Sequence, residues 1–177
     1  MDKIIESRFE TLDALGAEFS DIAMVSQYWT SAKADSFAPP WKAIDLTQVE
    51  SKILPRICVV DVSLNPLDFS YRFWGTGITY AHKRDATAQS VRSIKPTDFG
   101  ALLFEQYEMV YRTKTQQTFV CEFENERKLV FRYVVRRFPL SNDGETVTGV
   151  ISIEEYGRDK DDLSRLFESV THPQRKG

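Results

Sequence analysis

Apolar residues recur along this chain with two spacings, and each spacing predicts a type of element. In residues 5–30 they return every three to four positions, which is the period of an amphipathic helix. Gly16 weakens or interrupts this helix, so the segment forms either one helix or two. Residues 99–112 carry a similar one-sided stripe. We therefore predict an N-terminal helical extension, which with its following loop covers residues 1–43, and one long helix in the middle of the chain.

Strict alternation of apolar and polar residues predicts strands, because successive side chains of a strand point to opposite faces. Five segments have this pattern or a short apolar run: residues 57–62, 68–74, 119–124, 129–136 and 147–156. Two strands therefore precede the long helix and a three-stranded meander follows it. This order predicts an α+β fold with an antiparallel sheet and helices packed on one face.

Composition agrees with an ordinary globular protein. The 177 residues are 42% hydrophobic and 28% charged, and the net charge of −3 gives no basic surface for nucleic acid. No apolar run is long enough to span a membrane, and the start lacks the features of a secretory signal, so we expect a cytoplasmic protein. Residues 157–177 form a charged C-terminal tail with a candidate short helix at residues 161–170 and a frayed end at residues 172–177.

The residue types that support metal binding or catalysis are sparse. Cys58 and Cys121 lie in apolar runs without a Cys-x-x-Cys motif, which predicts buried, reduced thiols. The histidines are His82 and His172, and His82 is interpreted as solvated rather than as a ligand. No nucleophile elbow or Ser/His/Asp arrangement is present, so we predict no enzyme activity. The basic cluster at residues 132–137 is interpreted as a solvated strand face rather than a phosphate site.

The order of elements resembles a PAS domain over about residues 55–156. More narrowly, the chain is similar to small stand-alone bacterial PAS proteins common in alphaproteobacteria. The similarity rests on four motifs: Tyr28-Trp29, Ile53-Leu-Pro55, Val59-Val-Asp61 and Tyr71-Arg-Phe-Trp-Gly-Thr76. The chain departs from that pattern at residues 88–93, where members of the family more often have Thr-Gly-Arg before an apolar residue.

The resemblance implies a PAS-like domain at residues 44–156, with a five-stranded antiparallel sheet, helices over one face and a ligand cleft between them. It also implies a homodimer formed through the N-terminal helix, and signalling to a separate protein partner. The Asn-Cys-Arg helix motif of flavin photosensors is absent, and residues 99–112 carry no histidine of the kind that binds haem. The cofactor therefore stays unknown, with no flavin or haem motif evident.

Aromatic residues give the best indication of a ligand site. By alternation, the strand residues Tyr71, Phe73, Phe119, Phe123, Phe131 and Tyr133 share one face, and the helical half adds Tyr80, Phe104 and Tyr107. These side chains line either a solid core or a pocket that holds a small apolar or aromatic ligand. The candidate ligand-binding set is Tyr71, Phe73, Tyr80, Phe104, Tyr107, Cys121, Phe131, Tyr133 and Arg72.

Arg72 has two interpretations. Its forked guanidinium suits an anionic ligand or a partner's carboxylate, but a surface ion pair with Asp61 is favoured. Gly75 and Gly77 are expected to allow a sharp exit from the second strand.

Three functions follow from these observations. The first is a PAS-type sensory or interaction module that binds a small ligand or a protein partner and has no output domain of its own. The second is a ligand-free dimeric adaptor that docks through a helical stripe formed by Phe9, Leu12, Leu15 and Phe19. The third is a small α+β cone-fold enzyme with Asp61 or Tyr133 as acid or base, which a deep pocket with a buried Asp61 would support.

Overall fold

Six strands and four α-helices make up the part of the chain that the computed structural model describes, residues 3–171. Short 3₁₀ turns connect several of them. In chain order the elements are β1 (Ile4–Thr11), α1 (Ser20–Lys33), β2 (Ile57–Ser63), β3 (Asp68–Trp74), α2 (Thr76–His82), α3 (Thr97–Thr113), β4 (Gln117–Asn125), β5 (Val130–Leu140), β6 (Gly149–Glu155) and α4 (Lys160–Thr171).

The strands form one antiparallel sheet in the order β1-β4-β5-β6-β2-β3. The meander β4-β5-β6 lies in the middle, and the β2–β3 hairpin pairs with β6 although α2 and α3 separate them along the chain. The predicted α+β fold and its five strands are confirmed. The sheet has a sixth strand, β1, which pairs with β4 at one edge.

The helix predicted at the start of the chain is wrong for residues 4–11, which form β1. Phe9 packs edge-on against Phe119 with ring centroids 5.3 Å apart, while Arg8 on the opposite side donates to Glu122 at 2.7 Å. The apolar residues before Gly16 fit a helical period, but pairing with β4 satisfies the main chain and overrides that local pattern. The proposed helical stripe from Phe9 to Phe19 therefore does not exist.

Helices cover both faces of the sheet, not one. The face covered by α2, α3 and α4 is called the inner face here, and the face covered by α1 is the outer face. Ile22, Val25 and Trp29 of α1 are buried against aliphatic residues of β2, β5 and β6. The Trp29 indole donates to the Pro139 carbonyl at 2.8 Å, so this polar group is satisfied within the outer core.

The inner face is closed at one end by α4. The helix predicted at residues 161–170 is confirmed, and its apolar side chains Leu163, Leu166 and Phe167 are buried in the inner core. The end of the charged tail, residues 172–177, lies outside the described residues. The long helix predicted at residues 99–112 is confirmed as α3.

Gly75 fixes the junction between β3 and α2. A Cβ atom at this position would lie 2.2 Å from the Pro55 carbonyl oxygen. The backbone φ of −67° is accessible to any residue, so the close approach of Pro55 is the reason for glycine here. This contact holds α2 against the start of the hairpin and brings His82, at the end of α2, into the inner core.

Candidate functional site

Polar side chains are buried together between the inner face of the sheet and the helices. We call this group the inner polar cluster, and each member is at most 5% exposed. Its members are Cys58, Tyr71, His82, Gln106, Tyr107, Cys121, Tyr133, Arg137, Ser152, Glu154 and Tyr156. They come from five strands or strand ends and two helices, so only the complete fold assembles them.

Arg137 is the most unusual member, because its cation is 1% exposed. Its guanidinium donates to the Gln106 amide oxygen at 2.7 and 3.1 Å and to the Ser152 hydroxyl at 3.0 Å. It also lies 4.0 Å from the centre of the Tyr107 ring. Neutral groups therefore hold the charge, an arrangement that normally weakens a fold compared with apolar packing.

The interpretation of residues 132–137 as a solvated basic face is wrong for Arg137. Alternation along β5 turns Tyr133, Val135 and Arg137 to the inner face, whereas Arg136 is half-buried on the outer side. The sequence could have predicted this burial, because Arg137 lies an even number of positions from Tyr133 and Val135 and therefore points to the same face of the strand.

His82 and Glu154 form a second buried unit. His82 Nε2 lies 2.9 Å from a Glu154 carboxylate oxygen, to which the Tyr156 hydroxyl donates at 2.5 Å. Burial alone raises the pKa of Glu154, but the interaction with His82 and the hydrogen bonds outweigh it, so the pKa lies below the ordinary value. The expectation that His82 is solvated is wrong.

The His82 ring connects the helices of the inner face. It stacks on Phe99 of α3 with centroids 5.8 Å apart and contacts Phe167 of α4 at 4.6 Å. Through Glu154 it also contacts β6. One side chain at the end of α2 thus contacts every other element that closes this side of the domain.

Both cysteines are buried thiols in strands, as predicted. Cys58 Sγ lies 3.6 Å from the Tyr107 hydroxyl, and Gln106 donates to Cys121 Sγ at 3.1 Å. Burial raises the pKa of each thiol to about 11. Both therefore stay protonated at neutral pH, which makes them poor nucleophiles.

Two hydrogen-bond donors in this region have no partner among the described protein atoms: Trp74 Nε1 and the Tyr133 hydroxyl. Tyr133 lies directly across from Cys121 in the β4–β5 ladder, and its hydroxyl interacts with the Cys121 thiol without reaching the geometry of a normal hydrogen bond. Both aromatic rings contact His82, with centroid distances of 6.0 and 5.5 Å. A buried donor left unpaired costs about 1–3 kcal/mol, so two of them beside one histidine are a specific feature of the site.

The structure brings four of the predicted site residues into the cluster: Tyr71, Tyr107, Cys121 and Tyr133. Phe104 and Phe131 are half-buried at the border of the inner core. Tyr80 is 47% exposed and donates to Asp161 at 3.0 Å. A surface cleft of about 430 Å³ beside Phe131 lies outside the cluster.

Phe73 lies on the face opposite to the one that alternation predicts. Val59 pairs with Phe73 whereas Val60 pairs with Tyr71, so Arg72 is the extra residue of a β-bulge. The bulge shifts the pattern by one position, and Phe73 packs in the outer core.

Arg72 forms the predicted ion pair with Asp61, with a shortest N–O distance of 2.6 Å. Both side chains are more than 40% exposed. A buried Asp61 would have supported the enzyme alternative, and in the structure Asp61 is exposed.

The residues that sequence reasoning missed are Arg137, His82, Gln106 and Glu154. Among the residues described, no group of three or more His, Cys, Asp or Glu side chains has the arrangement of a metal site. Within residues 3–171, no helix has both the length and the apolar character needed to cross a membrane.

No protein-family model and no curated protein matches the sequence. Similar solved structures are light-oxygen-voltage (LOV) photoreceptors, a subfamily of PAS proteins. An RNA-binding LOV receptor is 14% identical with a TM-score of 0.43, and the match covers 90% of this chain but only 40% of that receptor. The dark-state LOV domain of the blue-light photoreceptor Aureochrome1 is 8% identical with a TM-score of 0.45, covering 70% of this chain and 89% of that one.

A fungal LOV domain photoreceptor is 13% identical with a TM-score of 0.43, and the match covers 80% of this chain and 94% of that one. The present chain has one six-stranded antiparallel sheet with covering helices, an α+β fold.

Proposed function

We propose that this chain is a PAS-type sensory module that binds a small ligand between the inner face of the sheet and α2, α3 and α4. One observation carries the proposal: Trp74 Nε1 and the Tyr133 hydroxyl are buried donors without partners beside His82. A ligand with acceptor atoms would satisfy both donors and recover the free energy that their burial costs.

The surrounding side chains indicate the chemistry of such a ligand. Aromatic rings dominate the region, among them Tyr107, Phe99 and Phe123, and they favour an apolar or aromatic molecule. Arg137 adds a buried positive charge, which favours acceptor oxygens on one end of that molecule. The expected ligand is therefore small, flat and largely apolar, with one or two oxygen acceptors.

The signal would pass through His82, because its ring contacts α3, α4 and the Glu154 carboxylate at once. A ligand that moves this ring changes how Phe167 packs, and thereby stabilises one arrangement of α4 over another. The solvent side of α4 carries Asp161, Asp162 and Arg165, which would present the change to a separate regulatory protein.

A ligand-free adaptor is the second candidate. It is favoured by the close packing of the cluster, in which Arg137 and Tyr107 already find partners within the protein. In that case the polar groups specify one packing of the core and bind nothing else. We include no catalytic step in either candidate.

Native mass spectrometry of the freshly purified protein, compared with the same sample after denaturation, tests the proposal. Extra mass that is lost on denaturation is the expected result. Tyr133→Phe should lower the retained fraction, whereas Tyr80→Phe, which changes an exposed tyrosine, should not. A bare mass, with no thermal stabilisation by a panel of small aromatic acids, would favour the adaptor.

A further inference from the structure

The outer side of β1 is an open edge of the sheet. The Leu12 amide donates to the Thr118 carbonyl at 2.9 Å, and this pair continues the β1–β4 register. Because main-chain groups alternate in direction along an antiparallel strand, those of Ser7, Phe9 and Thr11 point away from β4. Within residues 3–171, none of these three residues has a main-chain partner on that side.

The charged side chains of β1 alternate in sign. Glu6, Arg8 and Glu10 share the outer face of the sheet, and Arg8 already pairs with Glu122. Glu10 is exposed and has no ion pair among the described residues. An exposed edge of this kind is a template for another strand, and the charges on it decide which strand is accepted.

We propose that β1 pairs with β1 of a second copy of this chain, antiparallel and centred on Phe9. Phe9 then lies opposite the partner's Phe9, and Ser7 lies opposite the partner's Thr11. All three outward-pointing residues form hydrogen-bonded pairs, which gives about six new main-chain hydrogen bonds. The two sheets become one continuous sheet across a twofold axis.

The charges select this register. Centring on Phe9 sets Arg8 opposite the partner's Glu10, and the symmetry axis repeats this ion pair. Centring on Arg8 instead sets Arg8 against the partner's Arg8 and Glu6 against the partner's Glu10, which is repulsive. Centring on Ser7 also sets Arg8 opposite the partner's Glu6, so here the backbone decides: this register leaves Thr11 unpaired and runs into the irregularity between Ile4 and Glu6.

The inner side of the edge has space for the second copy. A cleft of about 520 Å³ runs beside Phe9 and is lined by Ala101 and Leu102 of α3. The partner's Phe9 would enter this cleft and cover its apolar wall. Asp98 and Glu105 form the rim, where they stay in contact with solvent.

Sedimentation velocity at concentrations up to the sub-millimolar range tests this dimer. The wild type is expected to be dimeric. In Glu10→Arg, both Arg8–Glu10 ion pairs of the dimer become repulsive pairs of arginines. This substitution should therefore raise the dimer dissociation constant about 10- to 100-fold. Glu6→Arg is the matched control, because Glu6 lies opposite the partner's Leu12 in the proposed register, and it should stay dimeric.

A mixing experiment identifies the contact directly. Arg8→Glu and Glu10→Arg should each be monomeric alone, yet form a heterodimer when mixed, because every facing pair is then of opposite charge. Circular dichroism checks that both variants are folded. If Arg8→Glu does not fold, the comparison of Glu10→Arg with Glu6→Arg still decides.

Three results would overturn the proposal. A monomeric wild type would mean that the charges protect the edge against pairing. If the Glu10→Arg variant is still a dimer, the interface lies elsewhere on the molecule. If Glu6→Arg dissociates the dimer, the proposed register is wrong. None of these results bears on ligand binding at the inner face, so the two proposals fail independently.

Discussion

The two cores on either side of the sheet are built differently. The outer core, under α1, consists of aliphatic and aromatic side chains such as Ile22, Phe138 and Ile153, and its Trp29 indole is hydrogen-bonded. The inner core contains Arg137 and the His82–Glu154 pair at a similar depth. A stable fold needs the first kind of core, because apolar burial is favourable without further conditions.

The second kind needs a separate explanation. Buried polar groups stabilise a fold only when every one has a partner, and replacing them by apolar residues is often neutral or stabilising. Clusters of this type in a core are more frequent at functional sites. Apolar side chains stabilise the domain on both faces, and the buried polar cluster is what distinguishes the inner core from the outer one.

The largest difference in stability is expected between substitutions at two neighbouring residues of β5, Arg137 and Phe138. Phe138→Ala, in the outer core, should lower the free energy of unfolding by about 3–5 kcal/mol through the cavity that it leaves. It should not change ligand retention. Arg137→Met should cost less, about 1–3 kcal/mol, because relief of the buried charge is opposed by the loss of the donor to the buried Gln106 oxygen. Urea denaturation measures both, and a severe loss in Arg137→Met would make the inner core primarily structural.

The buried carboxylate of Glu154 should give a pH-dependent effect on stability. Glu154→Gln is expected to cost about 3 kcal/mol at pH 7, since it removes the charge that faces His82. The folded state lowers the Glu154 pKa from the ordinary 4.5, so this stabilisation is present above that pH and is lost as the pH falls through the folded pKa.

Urea denaturation at pH 7 and at pH 3 tests whether the stabilisation by Glu154 decreases in acid. The difference between wild type and Glu154→Gln should narrow in acid. The control is Glu108→Gln, which removes an exposed partner of Arg112 and should change little at either pH. A larger difference in unfolding free energy between wild type and Glu154→Gln at pH 3 than at pH 7 would contradict the assignment of a charged Glu154.

The same substitution at two buried tyrosines should have unequal effects. Tyr156→Phe removes a hydroxyl that donates to the Glu154 carboxylate and should cost about 1.5–3 kcal/mol. Tyr133→Phe removes a hydroxyl without a partner and should be neutral or slightly stabilising in the ligand-free protein. Thermal unfolding of ligand-stripped samples distinguishes them. Equal losses would mean that the Tyr133 hydroxyl is satisfied in solution.

The smallest effect is expected at the surface of β3. Arg72→Gln breaks the exposed pair with Asp61 and should cost about 0–1 kcal/mol. Ligand retention should not change, because this pair lies outside the inner core. If the variant loses its ligand, Arg72 takes part in ligand binding, and the binding site is not confined to the inner core.

Much of the fold was predictable because its strong patterns are local. The alternation in β4 and β5 and the apolar stripe of α3 each correspond to an observed element. The N-terminal strand was missed, because eight residues with few apolar positions fit either period and only the edge of β4 selects between them. The bulge at Arg72 is equally non-local, since it exists only as a mismatch between two paired strands.

For the site, the sequence supplied the residue types but not their environment. Aromatic alternation identified Tyr71, Tyr107 and Tyr133, but His82 and Arg137 were interpreted as solvated because polar residues usually are. The burial of His82 depends on the approach of α2 to Pro55 and on α4 closing over Phe99. Arg137 is buried by its contacts with Gln106 and Tyr107 of α3. None of these contacts is encoded by local spacing.

The sequence by itself determined the order of elements from β2 onward, the buried thiols and most of the inward-facing aromatic side chains of the strands, with Phe73 the exception, since each depends on the periodicity of a single segment. Only the tertiary structure decided that α1 and α4 cover opposite faces, that β1 forms an edge, and that a histidine, a glutamate and an arginine meet in one core. Those features depend on contacts between segments far apart in the chain, and the free energy of such contacts is defined only once the segments are packed together.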